Sequence, residues 1–412
     1  MGIGIRARRA VTASTMAPST LVTTEKVITS FDPPSTIADA AIGVRDGLID
    51  WVGPKDAAPV DRYEQIVRLP GTALPGLVDA HVHLSFDPDV ADPISDALDS
   101  VRARVTQTIE SNGRRFLERG VTTVRDLGSM RGVVLEAGRG LGKGRWLGPR
   151  IVAADQPITR PQGHAWRIGI QSDSVTSAQA AVRDLFDRGA GVVKIMVTGG
   201  RMTVGTDPLT VEFPSQLIAA VVDAAHDVGL SVAAHCLSVA GIRAALSAQV
   251  DSIEHGTFIG PNGLGCDEET VERLAQEIAQ SGTYLCPTIN ADYPGRHPIP
   301  FEQRLRWVNI LHRAGVKVIV GNDTGIPGLP PDLYPGALRA LESAGMNSAQ
   351  VLHSATALAS QALGLGRDSG TLAPGLAADL IVVEGDPLAD LRVLSVPALV
   401  MVGGRTVAGS RT

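Results

Sequence analysis

The sequence predicts an α/β fold, namely a (β/α)8 TIM barrel beside a small β-sandwich that both ends of the chain build together. Between residues 71 and 369, short apolar segments alternate with helical segments, as in a parallel sheet that helices cover. Eight strand segments occur in about 300 residues, which fits the repeat of a TIM barrel. The flanking segments, 20–70 and 370–412, contain short β-strands separated by turns.

The two flanking segments are expected to need each other. The turn Arg45-Asp46-Gly47 marks a hairpin in the first, and Val402-Gly403-Gly404-Arg405 marks one in the second. Neither segment has enough strands for a stable sheet alone, so we expect them to share one domain beside the barrel domain of 71–369. Residues 1–19 are expected to be a mobile tail, and translation could start at Met1 or Met16. The predicted strands of this domain are 21–30, 40–45, 48–52, 380–383 and 399–402.

The barrel elements follow along the chain. The predicted strands are 77–83, 122–126, 151–154, 192–197, 231–235, 252–255, 284–287 and 316–321. The predicted helices are 93–119, 178–188, 214–228, 240–247, 268–281 and 303–314. The first helix has a defined start, because Asp92 can cap it and Pro93 suits the first helical position.

Composition excludes several classes of function. The 412 residues include 37 basic and 43 acidic side chains, a net charge of −6, so no basic surplus exists to bind nucleic acid. The three cysteines, Cys236, Cys266 and Cys286, form no CxxC pair, which favours a reducing compartment without disulfides. No apolar run reaches the roughly 18 residues of a membrane span, and no secretory signal is recognisable. We expect a cytoplasmic homo-oligomer that acts on a small molecule, away from membranes and nucleic acid.

Side chains that can bind metals stand at the ends of the predicted barrel strands. His81 and His83 lie two residues apart, so both imidazoles share one face of the first strand. Later strands supply one such residue each: Lys194, His235, His255 and Asp323. Catalytic residues of TIM barrels gather at these strand ends. Histidine and carboxylate ligands suit a catalytic divalent metal, with zinc as the default.

Lys194 admits two interpretations. It lies in an apolar strand, where an unpaired ammonium group would be costly. A neutral lysine can react with CO₂ to form a carbamate, whose two oxygens can bridge a pair of metal ions. The alternative is a lysine that extends to solvent or forms a salt bridge. The surrounding ligand set favours the carbamate.

Longer motifs resemble the amidohydrolase superfamily, from Leu21 onward. They are 74–83 (LPGLVDAHVH), 120–126 (GVTTVRD), 193–195 (VKI), 234–236 (AHC), 252–256 (SIEHG), 321–324 (GNDT) and 370–380 (GTLAPGLAADL). Within the superfamily, the chain resembles the binuclear branch with a carboxylated lysine, including imidazolonepropionase-like and Xaa-Pro dipeptidase-like amidohydrolases. The resemblance implies hydrolysis of amides, dipeptides, carbamates, ureas or some esters.

The resemblance also implies a role for each ligand. His81, His83 and Asp323 would bind the more buried of two divalent ions, expected to be Zn²⁺. His235 and His255 would bind the second, which polarises the scissile carbonyl. Carboxylated Lys194 and a hydroxide would bridge the two ions, since metal binding lowers the pKa of water toward about 7. Asp323 would act as general acid–base, taking the proton and delivering it to the leaving nitrogen.

Four residues after barrel strands are expected to bind substrate: His164, Arg201, Asn290 and Tyr293. Related enzymes carry a Gly-Gly-His where this chain has Gln162-Gly163-His164. Arg201 can hold a substrate carboxylate bidentately, or it is a solvated loop arginine. The dipeptidase-like members carry a tyrosine just after the strand-five histidine, whereas this chain has Cys236, expected to be a packing residue.

Two further expectations concern neighbours of these residues. Glu254 precedes His255 on a strand, so regular alternation predicts that it faces the covering helices. Arg125 and Asp126, at the end of the second barrel strand, are expected to form a supporting ion pair.

The sequence therefore predicts a zinc-dependent hydrolase that cleaves an amide-type C–N bond of a small molecule. Candidate substrates are a dipeptide, N-acyl amino acid, carbamate, urea or lactam. Two alternatives stay open. One is a mononuclear ring deaminase or imidazolone-type cyclic amidohydrolase, in which Lys194 would have no role. The other is a non-catalytic barrel that binds a ligand, which would not need an intact ligand set.

Overall fold

A computed structural model describes residues 18–141, 146–293 and 297–409. The predicted mobile tail lies outside the described residues, apart from Pro18 and Ser19. The chain combines β-rich ends with a middle in which strands and helices alternate, so its class is α/β.

The elements are numbered in chain order. The strands are β1 Thr20–Phe31, β2 Pro34–Arg45, β3 Leu48–Pro54, β4 Gln65–Arg68, β5 Thr72–Pro75, β6 Leu77–Val82, β7 Val121–Asp126, β8 Arg150–Ala153, β9 Ile158–Thr159, β10 Ile170–Gln171, β11 Val192–Met196, β12 Ser231–Ser238, β13 Ser252–Ile259, β14 Tyr284–Cys286, β15 Lys317–Val318, β16 Leu380–Val383, β17 Leu399–Val402 and β18 Arg405–Gly409. The helices are α1 Pro93–Asp99, α2 Arg102–Glu118, α3 Val133–Leu141, α4 Val175–Arg188, α5 Ser215–Asp227, α6 Val239–Ser247, α7 Glu268–Ser281, α8 Phe301–Arg313, α9 Tyr334–Ser343, α10 Ser348–Ser354 and α11 Ala357–Ala362.

Strands from both ends of the chain pair in one eight-stranded sheet. Its order is β18-β17-β16-β5-β1-β2-β3, with β4 paired to β1. The two ends meet where β5 and β16 run antiparallel, with Leu74 opposite Ile381. Apolar side chains from both ends, such as Ile42 and Val382, share one buried cluster, so each end covers apolar surface of the other.

The middle of the chain forms two parallel sheets that join along their edges. Their orders are β6-β7-β8 and β10-β9-β11-β12-β13-β14-β15. Ala80 N in β6 donates to Val320 O, just after β15, at 2.9 Å, and Gly191 N donates to Ala153 O of β8 at 2.9 Å. The strands therefore point the same way, and their carboxyl ends meet on one side of the molecule.

Several predicted bounds are confirmed, while two elements differ. Helix α7 and strands β16 and β17 have the predicted bounds, and Asp92 caps α1 by accepting from Ser95 N. The single helix predicted over 93–119 is wrong, because Ser100 and Val101 are extended and separate α1 from α2. The break lets α1 pack on Phe86 beside a cavity, whereas α2 packs into the main core.

The last predicted barrel strand is shorter than expected. Only Lys317–Val318 form β15, although the prediction covered 316–321. Ile319 N still donates to Leu285 O of β14, but Val320 N turns away and donates to Ser354 O in α10. The ladder therefore ends early, since an amide that bonds to a helix cannot also pair with a strand.

Within the described part of the chain, no helix combines the length and apolar character needed to cross a membrane.

Candidate active site

A cavity of about 530 Å³ opens at the carboxyl ends of the parallel strands. All ten predicted site residues line it, and they come from β6, β11, β12, β13 and the segments that follow strands: His81, His83, His164, Lys194, Arg201, His235, His255, Asn290, Tyr293 and Asp323. Since the parallel strands end on one side, residues far apart in sequence meet here. The cavity is the candidate active site.

Asp323 lies at the centre of the predicted ligand set. Its Oδ1 lies 3.3 Å from Nε2 of His81 and 3.3 Å from Nε2 of His83. Its Oδ2 faces the other side, 3.9 Å from Nδ1 of His255. Asp323 has a φ of 59°, a left-handed conformation that is uncommon for a residue with a side chain. Such strain is concentrated at functional sites, where the surrounding fold holds it.

Four imidazoles of the site lie side by side in a row. Ring centroids are 4.9 Å apart for His81 and His255, 4.6 Å for His255 and His235, and 4.7 Å for His235 and His164. Burial, followed by neighbouring positive charge, lowers the pKa of His81, His235 and His255 well below its usual range. These rings are therefore neutral at physiological pH, the form that binds metals.

Lys194 lies in β11 with 1% of its surface exposed. Its Nζ has no hydrogen-bond partner among the described residues, and none of their carboxylates lies within ion-pair distance. Burial lowers the pKa of Lys194, since the charged amine loses hydration. The amine therefore neither reaches solvent nor forms the salt bridge that the alternative interpretation requires.

In three of the histidines, the ring nitrogen Nδ1 lies within hydrogen-bond distance of a neighbouring group. His81 Nδ1 lies 2.8 Å from Glu254 Oε2, and His83 Nδ1 lies 2.9 Å from the carbonyl oxygen of Gly128. His255 Nδ1 lies 2.9 Å from the Thr288 hydroxyl. Hydrogen bonds of this type orient a histidine and fix which ring nitrogen remains free.

The expected orientation of Glu254 is wrong. Its side chain is fully buried and bonds to His81, so it points into the parallel-sheet interior instead of toward the helices. In the sheet, Glu254 pairs with His235, which also faces inward. His255 is the irregular residue, because its φ of 69° interrupts strand alternation and turns its ring to the same side.

The expected ion pair between Arg125 and Asp126 is also wrong. Arg125 Nη2 instead donates to Glu254 Oε1 at 2.7 Å, and its Nη1 donates to Ser252 Oγ at 3.0 Å. Asp126 accepts from the amide of Leu84 at 2.7 Å. Neighbouring residues of a regular strand point to opposite faces, which keeps the two charges apart.

The four predicted substrate residues differ in the hydrogen bonds that their side chains already make within the protein. His164 Nδ1 lies 3.1 Å from the Thr203 hydroxyl, and Arg201 is exposed on the loop after β11. The Asn290 side chain donates to Asn322 Oδ1 at 2.6 Å and to Leu333 O at 2.8 Å, so the fold uses its amide group. The Tyr293 hydroxyl donates to Pro327 O at 2.7 Å.

Cys236 does not reach the cavity lining and is fully buried, with Sγ 3.6 Å from Gly241 O. All three cysteines are free, as expected. Burial raises the pKa of the Cys236 thiol, which agrees with a packing residue and not a nucleophile.

Sequence reasoning assigned the wrong contacts to Arg125 and Glu254, and it missed Thr288 and Arg304, although all four contribute to this site. A signal existed for the first two, since Arg125 and Glu254 are opposite charges placed in apolar strands. No pattern in the neighbouring sequence distinguishes Thr288, or Arg304 on α8. Their role depends on which segments the fold brings together.

The model of the amidohydrolase family matches residues 72–407. The chain belongs to the amidohydrolase family. The expected superfamily resemblance is thereby confirmed.

Individual relatives cover most of this amidohydrolase. Ochratoxinase from Aspergillus niger is 26% identical over 406 residues, which cover 88% of this chain and 81% of the relative. An imidazolonepropionase from Salinispora tropica is 24% identical over 377 residues, covering 84% and 86%. A solved Xaa-Pro dipeptidase with methionine in its active site has a TM-score of 0.80 at 26% identity, over 94% of this chain and 99% of that one. These likenesses imply a TIM-barrel-type α/β fold.

Proposed function

We propose that this amidohydrolase is a zinc-dependent hydrolase that cleaves an amide-type C–N bond of a small molecule. One observation carries the proposal: six side chains able to bind metals line a single cavity, and one of them is a buried lysine without a partner. An unpaired amine buried in the fold costs free energy, whereas carboxylation would turn Lys194 into a ligand for two metal ions. The ochratoxinase and Xaa-Pro dipeptidase likenesses support amide-type substrates.

The residues present fit two divalent ions. Ligand atoms of His81, His83 and Asp323 lie within 4.8 Å of one another, so these three would hold the more buried ion. His235 and His255 would hold the second, and Lys194, carboxylated by CO₂, would link the two. When bound, the ions supply activated water and polarise the substrate carbonyl.

Asp323 is the residue that would move the proton. Its Oδ1 faces His81 and His83, whereas Oδ2 faces the opposite side, toward His255. Burial raises the pKa of Asp323, but its contacts with His81 and with the hydrogen-bonded His83 outweigh burial and lower the pKa to about 2. Asp323 is therefore ionised at neutral pH and able to accept a proton, which it then returns to the leaving nitrogen.

Apolar side chains around the ligands would bind the body of the substrate and exclude water. They include Phe86, Ile168, Met196 and Leu237, which line the cavity beside the histidine row. His164 and Arg201 lie at the same cavity and are the proposed polar contacts, with Asn290 and Tyr293 shaping its wall.

A mononuclear ring amidohydrolase is the second candidate. His81, His83 and Asp323 form a compact three-residue set that can hold one ion without Lys194. The imidazolonepropionase likeness supports this candidate. The metal content of the protein distinguishes the two.

We also infer the domain organisation. The parallel sheets of 71–369 would close into one eightfold barrel, since hydrogen bonds already join their edges. Residues 20–70 and 370–412 would form one small β-sandwich, supported by their shared sheet and shared apolar cluster.

The test measures metals and turnover together. Protein purified from zinc-supplemented cells is analysed by elemental mass spectrometry and assayed against dipeptides, N-acyl amino acids, carbamates, phenylureas and lactams. We expect about two divalent ions per chain, hydrolysis of at least one class, and loss of activity on chelation. Saturation at one ion in active enzyme would favour the mononuclear candidate. Metal-loaded protein inert toward every class would contradict the proposal.

A further inference from the structure

Arg304 is a buried cation at the candidate active site without a carboxylate partner. It lies in the first turn of α8, is 8% exposed and lines the cavity. Among the described residues, no carboxylate is within ion-pair distance of it. Arg125, the other arginine buried near this site, is paired with Glu254 at 2.7 Å. The two buried arginines therefore differ in whether their charge is balanced.

Neutral groups alone hold the Arg304 guanidinium in place. Its Nη2 donates to the carbonyl oxygens of Pro287, at 3.2 Å, and Thr288, at 3.0 Å. Burial lowers the pKa of Arg304 to about 10, so it remains charged at neutral pH. Burying a charge that lacks a counter-ion is costly, and an arginine can bind a carboxylate through two parallel hydrogen bonds.

Two further residues that can donate hydrogen bonds, Arg201 and His297, line the same cavity as Arg304. Burial, followed by the charges of Arg304 and Arg201, lowers the pKa of His297 to about 3, so the ring is neutral at physiological pH. His297 Nδ1 accepts from Ile299 N at 3.1 Å, which leaves the ring proton on Nε2. Nε2 has no partner among the described residues.

Neither described acidic residue that lines the cavity lies within ion-pair distance of Arg304, although the charge of Asp323 raises the pKa of Arg304. Asp323 lies among the histidines, and Asp92 caps α1 through Ser95. The side formed by Arg201, His297 and Arg304, which we name the cationic wall, therefore carries two positive charges. An anionic ligand would be attracted to this wall.

We propose that the cationic wall, with Arg304 as its central residue, binds a carboxylate of the substrate. The inference rests on the proposed function and narrows it to amides that carry a free carboxylate, such as N-acyl amino acids and dipeptides. Neutral carbamates, phenylureas and lactams would leave the charge of Arg304 unbalanced.

The position of Arg304 favours a carboxylate close to the scissile bond. Thr288, whose carbonyl accepts from Arg304, holds Nδ1 of the proposed ligand His255 through its hydroxyl at 2.9 Å. Thr288 therefore contacts both sites: its carbonyl contacts Arg304 of the proposed carboxylate site, and its hydroxyl contacts His255 of the proposed metal site. A carboxylate on the carbon next to the leaving nitrogen suits this spacing.

The experiment compares acids with their neutral carboxamides. N-acetyl derivatives of L-methionine, L-leucine, L-phenylalanine and L-proline are assayed beside the corresponding N-acetyl amino acid amides. For the wild-type enzyme we expect kcat/KM to favour the acids by about 100-fold or more, because the carboxamide leaves a buried charge unpaired. Arg304→Gln should remove most of this preference by weakening acids alone, and Arg304→Lys should restore part of it.

Arg306→Gln is the matched control, since Arg306 lies two residues along α8, is exposed and pairs with Glu268. It should keep the wild-type preference. Equal activity on acids and carboxamides in the wild type would overturn the proposal. An equal loss on both in Arg304→Gln would do the same, since that result assigns Arg304 to positioning Thr288.

Calorimetry separates this proposal from the proposed function. Binding of N-acetyl-L-methionine and of N-acetyl-L-methioninamide is measured with the wild type and with Arg304→Gln. A preference for the acid of about 10-fold or more that disappears in Arg304→Gln supports the carboxylate site even if hydrolysis is absent. Hydrolysis of carbamates or phenylureas, with no preference for acids in binding, would refute the carboxylate site and leave the proposed function intact.

Discussion

The Glu254 carboxylate accepts a hydrogen bond from Nδ1 of His81 at 2.8 Å, and both side chains are almost completely buried. Arg125 and Ser252 donate to the other carboxylate oxygen, at 2.7 Å and 2.6 Å. Because the Glu254 carboxylate pairs with Arg125 and accepts from His81, the ring proton of His81 lies on Nδ1. The free Nε2 then faces Asp323, where the proposed metal would bind.

Weakening this contact should weaken the metal centre. In Glu254→Gln the buried negative charge is lost while the shape is kept. We expect the affinity for the more tightly held zinc ion to fall about 10- to 100-fold. Competition with a chromophoric chelator measures this affinity. Glu277→Gln is the control, because Glu277 is an exposed partner of Arg243 on α7. Unchanged affinity in Glu254→Gln would show that His81 is oriented without it.

Lys194→Ala should lose the proposed bridge between the two ions. We expect metal content well below about two ions per chain, loss of most activity and a retained fold. Elemental analysis, turnover and circular dichroism give the three readouts. Acetate or propionate should restore part of the metal content, since a free carboxylate can replace the carbamate. Lys317→Ala, at the exposed Lys317 of β15, should behave as wild type. Full activity in Lys194→Ala would refute the bridging role.

Asp323→Asn should separate metal binding from proton transfer. The amide keeps one oxygen beside His81 and His83 but cannot accept the proton. We expect kcat to fall about 10²- to 10⁴-fold, the usual contribution of a general acid–base. KM should change little, and most of the metal should remain. Steady-state kinetics on metal-loaded protein, with Asp227→Asn as an exposed control, measures this. A wild-type kcat in Asp323→Asn would transfer the role to another residue, and His164 would be tested next.

Removing the C-terminal strands should make the chain aggregate. A chain that ends at residue 369 lacks β16, β17 and β18 and leaves β5 unpaired along its Leu74 edge. An exposed apolar edge strand is a site of association between chains. Size-exclusion chromatography should find mainly aggregate, whereas a chain that ends at residue 409 should elute as wild type. A soluble, active protein ending at 369 would refute the proposed shared domain.

Much of the site follows from strand patterning. Strand patterning predicted the six candidate metal ligands at strand ends, and these line one cavity together with the four residues predicted after strands, because parallel strands end together. Patterning failed at Glu254, since alternation assumes a regular strand and His255 adopts a left-handed conformation there. A glycine in a sequence often indicates a left-handed backbone conformation, whereas a histidine does not.

Long-range contacts explain the remaining differences. The early end of β15 reflects the hydrogen bond from Val320 N to α10. The sequence-based prediction did not include this helix, and nothing in the sequence around Val320 indicates the contact. The burial of Arg304 depends on where α8 docks relative to the carbonyls of Pro287 and Thr288. Sequence spacing holds no information on such a contact until the fold is known.

Thr288 joins the proposed anion site to the proposed metal centre, and this bears on how the enzyme can evolve. Changes at Arg201, on an exposed loop, can alter which substrates are accepted without touching a metal ligand. Changes at Arg304 would remove the proposed partner of the substrate carboxylate and free the Thr288 carbonyl, while the Thr288 hydroxyl stays on His255. New specificities for the substrate side chain should therefore arise on the loop, whereas replacement of Arg304 should shift the preference from carboxylates to neutral substrates.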